Sequence, residues 1–499
     1  MPYSMGKLVY TLISSAYFVD EKWGFGSPHH GILTMGEIAH KRRPNAAGEE
    51  MMFPVTWLVS PKSAMIERDL FTRFHDDFGD AVGYMLNKDD HSMDRNKELM
   101  LPENENDLKA HVDAEINTVK DILSWAEIKV VGTGYRSTSL VHVLADLDIP
   151  GMWGSCPFQI GTDNITDFGA PWGQWYVNPV NFKKPVRTGG RVINIEWTAR
   201  DLNKAFHYAQ PEAYSTDPND VESQAKCTDE NVEYWKALFG QYLRNLDLND
   251  YIFFHQHQEA HEMEATPTCI PFMQSGQGRI DYTAKMLSLF FDHVAAQENV
   301  IATTANGALE IFDEHYQGTQ PPAYMYFEDI PIYELSATYV NSVKGTYQHP
   351  KHVWLSFNEE FFNKVDQFVS QPDSLLAEPP WKHSFFYYDA DCMLVFDQPQ
   401  AGPVWVCNYK EPRPTNDELL LSEEFIPDAS IENLGDVVKI LVTSSKPMPY
   451  GVAIWGNEFF EQGLVPVEEG VKLKVINDNL VFVRFDIFQG INEIMLYLS

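Results

Sequence analysis

The sequence carries no CxxC pair. Its cysteines, Cys156, Cys227, Cys269, Cys392 and Cys407, are odd in number and widely spaced. That excludes a zinc ribbon and a thioredoxin-type motif, and free thiols in a reducing compartment are the simpler account. Positive charge is scarce: 37 Lys and Arg stand against 71 Asp and Glu, for a net charge of −34. Such a surface repels nucleic acid and anionic membranes and favours neutral or cationic ligands. No window approaches the ~20 apolar residues that a membrane span needs. The stretch MPYSMGKLVYTLISSAYF lacks the apolar run and small-residue cleavage site of a secretory signal. A soluble, cytoplasmic protein with no nucleic-acid or membrane partner is expected. Also missing are a GxGxxG after the first strand, a GxxxxGK[ST] loop and a GxSxG elbow. No solenoid repeat or low-complexity tract occurs.

What is present is apolar mass. Hydrophobic residues make up 44% and aromatics 13% of 499 residues, enough for large cores and two domains. From residue 7 to about 330, strand-like and helix-like segments alternate. KLVYTLISSAY, PVTWLVS, DAVGYML, EIKVVGTG, GMWGS, RVINIEW, YIFFHQH and NVIATT read as strands. Between them lie helical stripes such as Leu108, Val112, Ile116, Val119 and Leu123. The alternation predicts an α/β fold, a distorted (β/α)7–8 TIM-like barrel over 1–330. Beyond it come short β-rich runs separated by turn residues, among them GPVWVCNY, VVKILVTSS, YGVAIWG and LVFVRFD. They predict an antiparallel β-sandwich over 331–499.

In a parallel α/β barrel, ligands meet the C-terminal ends of the strands. The residues ending or following these strands are therefore the candidates. They are Asp20, Glu21 and Trp23 after the first strand, Arg136 after the fourth, and Trp153, Asp163, Trp172 and Trp175 with or after the fifth. Glu196 and Trp197 follow the 191–197 run, and His255, His257 and Glu259 lie in the late strand and just beyond it. Carboxylates and imidazoles do acid–base work near neutral pH. Indole faces beside hydrogen-bonding groups suit the mixed surfaces of sugars. Arg136 is a candidate for holding a carboxylate, with Asp20 as its natural partner.

The densest cluster is FFHQHQEAHE at 253–262, with three histidines and two glutamates. HQEAH matches neither HExxH nor HxxEH, so the two zinc-helix signatures are excluded. On a helix, His257 and His261 would share a face; on a strand, His255, His257, Glu259 and His261 would. Both geometries leave a divalent metal open as an alternative. His29 and His30, being adjacent, would point to opposite sides of an extended chain.

The order PVTWLVS, GDAVGYML, GTGYRSTSLVHVLADLDI and GMWG resembles the polysaccharide deacetylase (NodB-like) superfamily, within the broader glycoside hydrolase/deacetylase barrels. DYTAKMLSLFFDHVAAQENVIATTANGALEIF is similar to the final helix, strand and helix of those barrels, so the resemblance spans roughly residues 7–315. The whole chain also resembles a bacterial barrel-plus-sandwich family with no assigned reaction. The resemblance implies that YFVDE offers Asp20 as the acidic motif and that Arg136 steadies the catalytic base. It implies that Glu196 and Trp197 fall near a later motif and that His255 is the general acid. Where the deacetylases carry a zinc-binding His-x3-His, this sequence reads GYMLNKDDHSM, with Met85 and Leu86 at the strand end and His91 alone.

The expected activity is a carbohydrate-active hydrolase, glycoside hydrolase-like. Glu259 or His255 would be the acid, and Asp20 or Glu196 the base or nucleophile. Glu21, Trp23, Arg136, Trp153, Asp163, Trp172, Trp175, Trp197 and His257 would bind substrate. The alternatives are a metal-dependent deacetylase with a relocated site, or a non-catalytic glycan-binding relative. Self-association into a homo-oligomer is a further candidate.

Overall fold

The computed structural model describes residues 6–16, 29–86, 104–132, 138–154, 173–180, 188–199, 229–247, 249–260 and 279–321. It also describes a few single residues, short strands between 323 and 405, and most of 428–498. Nine strands form the principal sheet. They are β1 (Lys7–Ala16), β2 (Val55–Val59), β3 (Ala81–Met85), β4 (Val130–Gly132), β5 (Gly151–Trp153), β6 (Gln174–Tyr176), β7 (Ile193–Ile195), β8 (Tyr251–His257) and β9 (Val300–Thr303). Their order is β8-β1-β2-β3-β4-β5-β7-β6, and all neighbours are parallel except β6 against β7. β8 lines one edge of β1 over Lys7–Ile13. On the other edge, β9 pairs with Leu8–Thr11 and β2 with Leu12–Ala16.

The strands are buried on both sides because both sides are covered, as parallel sheets require. Nine of the ten β1 residues are buried. The outward face joins a core with the helices α1 (His29–Ala39), α2 (Pro61–Ile66), α3 (Arg68–Phe78), α4 (Glu105–Ile122), α5 (Thr138–Asp146), α6 (Asp229–Arg244) and α7 (Arg279–Ala295). Helix ends follow local chemistry. Ser60 and Ser63 form a capping box at α2, Asn104 accepts two backbone N–H bonds at α4, and Gly79 ends α3 in a left-handed turn. The α4 stripe ends at Leu123, the C-cap. There the backbone leaves the helix so that the chain can enter β4.

The inward face is a second core. Val9, Ile13, Leu58, Met85, Val130, Trp153, Tyr176, Ile193, Ile195, Trp197 and Phe253 share it with α8 (Ala305–Tyr316). α8 contributes Ala305, Ala308, Leu309 and Phe312, one helical stripe. The Ala305 N–H donates to Thr56 Oγ1 at 2.8 Å, which fixes the helix start against β2. Leu309 packs so closely on β5 that a Cβ at Gly151 would lie 2.6 Å from its Cδ1.

The sheet curls until its ends touch. Gly173, at φ +68°, presses against the Phe253 carbonyl, with room for no Cβ. The Ala199 N–H donates to the His255 carbonyl at 2.7 Å, and the His257 N–H to Thr198 Oγ1 at 3.3 Å. These contacts join the β6–β7 region to β8, the opposite end of the strand order.

Beyond α8 the elements are strands. A five-stranded sheet combines 323–324, 326–328, 352–355, 386–388 and 392–396. Two four-stranded antiparallel sheets follow, ordered 404–405, 448–455, 480–487, 472–477 and 428–433, 437–444, 490–498, 464–466. Val438, Ile440 and Val442 alternate as the buried side of one, and Val483, Phe485 and Ile487 as the buried side of the other. Among the described residues, no helix is long and apolar enough to cross a membrane.

Candidate functional site

The inner face changes character along each strand. On β1 it runs Val9, Thr11, Ile13, Ser15; on β8 it runs Phe253, His255, His257. FFHQH is therefore strand, not helix, and its two histidines share one face. Thr11 and His255 are register partners, and the Thr11 hydroxyl is hydrogen-bonded to His255 Nδ1. One step along, Ser15 Oγ and His257 Nε2 share a hydrogen bond of 2.8 Å. The outward residues of the same strands do structural work: Tyr10 donates its hydroxyl to Gln256 Oε1 within the helix-facing core.

The two imidazoles differ. Burial pushes His255 down to about 3, and the nearby Gly173 backbone acts in the opposite direction. His255 is thus neutral at physiological pH. Its Nε2 meets no partner of hydrogen-bond geometry among the described residues. His257 is packed between two indoles, its ring centroid 4.8 Å from Trp153 and 5.5 Å from Trp197. The Trp153 Nε1 is likewise buried with no hydrogen-bond partner among the described residues.

Glu196 directly follows β7, is 3% exposed, and donates its N–H to the Gly173 carbonyl at 2.9 Å. Glu259 lies two residues beyond β8 and is half-buried. The contacts of Ala199 with His255 and of His257 with Thr198 bring these two chain segments side by side. Among the described residues, Trp153, Trp197, Glu196, His255, His257 and Glu259 thus belong to one end of the curled sheet. Trp175 belongs to the helix-facing core, fully buried. Asp20, Glu21, Trp23, Arg136, Asp163 and Trp172 lie outside the described residues, as do His91 and His261. Met85 ends β3 within the inner core, where the deacetylase resemblance would ask for an imidazole.

His29 and His30 open α1 instead of an extended segment, so they do not diverge. Their rings are 5.5 Å apart, and His29 Nδ1 pairs with the buried Glu67 at 2.6 Å. Among the described residues, no three His, Cys, Asp or Glu side chains are grouped to hold a metal ion. Sequence reasoning missed Thr11 and Ser15. The signal was there: in KLVYTLISSA, polar residues fall on the face that carries Val9 and Ile13.

No protein-family model matches this sequence, and no curated protein matches it. Among solved structures, the chain is similar to the 4-alpha-glucanotransferase from Thermococcus litoralis, with TM-score 0.38 and 8% identity over 99% of each chain. It is also similar to the alpha-amylase AmyC from Thermotoga maritima, with TM-score 0.34 and 10% identity over 74% of this chain and 82% of that one. Overlap this low transfers neither fold nor activity.

Proposed function

We propose that the chain is a carbohydrate-active hydrolase of the glycoside hydrolase type. Residues 1–330 would form its catalytic barrel and 331–499 an accessory β-sandwich. The observation that carries this reading is the tie between the chain segments holding Glu196 and Glu259, at the end of the curled sheet that also holds Trp153, Trp197 and His257. Glycoside hydrolysis needs two carboxyl groups across a scissile bond, one as acid and one as base or nucleophile. Glu259, half-buried, is the acid. The neutrality of His255 favours Glu259 over the imidazole for that role. Glu196, buried beside Trp197, is the base or nucleophile. The net charge of −34 fits a neutral substrate.

The test is release of reducing ends from a panel of neutral oligosaccharides. Glu196→Gln and Glu259→Gln should each lower kcat by ~100-fold or more while the thermal midpoint holds. Undiminished turnover in both variants would sink the proposal.

A further inference from the structure

Ser15 and His257 carry no proton in that reaction, yet they form a pair suited to another. A hydroxyl within 2.8 Å of an imidazole nitrogen is the arrangement that activates an oxygen nucleophile. Three features make this more than a satisfied buried hydrogen bond. First, both residues lie toward the C-terminal ends of parallel strands, where α/β sheets hold their ligands. Second, the imidazole lies between the Trp153 and Trp197 rings, and the His257 backbone N–H is anchored on Thr198 Oγ1, so its direction is set in advance. Third, the Trp153 indole N–H beside it is buried and has no hydrogen-bond partner among the described residues. An unused donor next to a nucleophile–base pair is what a developing oxyanion requires.

We propose that Ser15, His257 and Trp153 form an acyl-transfer site that cleaves a small, uncharged carboxylic ester, such as an O-acetyl group. In the first half, His257 takes the Ser15 hydroxyl proton while Oγ bonds to the ester carbonyl carbon. The carbonyl oxygen becomes an oxyanion, for which the Trp153 N–H is the donor. The bond to the alcohol oxygen breaks, and the alcohol leaves with the proton from His257. In the second half, water gives a proton to His257 and adds to the acyl carbon. Acetate departs, and Ser15 recovers its proton. The small size follows from burial, since Ser15 and His257 are both fully enclosed. The nucleophile sits on a strand and not on a GxSxG elbow, so the motif search passes over it.

The experiment uses the full chain with methanesulfonyl fluoride, a serine reagent small enough for an enclosed site, as probe and methyl acetate as substrate. A single adduct is expected, mapped by peptide mass to Ser15. Ser15→Ala and His257→Gln should lose the adduct and lower acetate-ester kcat on the order of 1,000-fold. Trp153→Phe should still be labelled, with kcat down ~100-fold and KM nearly unchanged, as for loss of one oxyanion donor. A wild-type chain unlabelled at Ser15, or labelled only elsewhere, overturns the proposal and leaves the pair structural. So does ester turnover that survives Ser15→Ala. Mapping on the wild-type chain needs no variant, so a variant that fails to fold does not rescue the idea.

Discussion

The two ends of the curled sheet's inner face are built from the same strands and do opposite things. At one end Val9 and Phe253 meet the α8 stripe of Ala305, Ala308, Leu309 and Phe312, and the space is filled with hydrocarbon and rings. At the other end β1 and β8 present Thr11, Ser15, His255 and His257. From Phe253 to His257 is four residues, a rise of ~13 Å. A period of two carries one face from apolar plug to buried polar side chains without changing the fold. The difference teaches where rigidity comes from. The apolar end holds the strands in place by packing, and that fixed frame lets the polar end keep two buried imidazoles at set positions.

The largest expected effect is at the seam between them. Gly173→Ala forces a Cβ to within 2.0 Å of the Phe253 carbonyl at a left-handed φ of +68°. A loss of more than ~4 kcal/mol is expected by urea denaturation. A change below ~1 kcal/mol would mean that the sheet's ends do not meet there. Next comes the plug. Phe312→Ala, at a 1% exposed site, should cost ~3–5 kcal/mol. A near-neutral result would show the apolar end to be loosely filled.

The third prediction concerns the polar end and pH. The His255 imidazole is held down to about 3 when folded, against 6.5 when free. Between those values the unfolded chain binds a proton that the folded chain does not. Stability from this residue is therefore complete above pH 6.5 and falls as the pH drops toward 3. Over about two pH units below 6.5, the wild type should lose roughly 2–3 kcal/mol more than His255→Gln. Parallel stability–pH curves for the two proteins would refute the burial argument.

Much of the fold was legible in advance. Long periodic segments appear as expected, 7–16 as strand, 105–122 as helix and 251–257 as strand, because apolar spacing alone decides them. FFHQH is strand, one of the two geometries the sequence left open, so His255 and His257 share a face. Less of the site was legible. Trp175 looked like its neighbours in a tryptophan-rich run, yet β6 turns it to the helix-facing core, and one residue of register decides that. Ser15 looked like strand filler until β8 came alongside with His257.

The sequence by itself determined the alternation of elements, the acidic surface and the polar-after-apolar order along β1 and β8, because these follow from local period and composition. Only the tertiary structure decided that β1 and β8 are neighbours, although Ser15 and His257 are 242 positions apart. It also decided that burial discharges His255 and, among the described residues, leaves the Trp153 N–H without a hydrogen-bond partner. Those outcomes depend on which surfaces lose water together, and no local stretch of sequence carries that information.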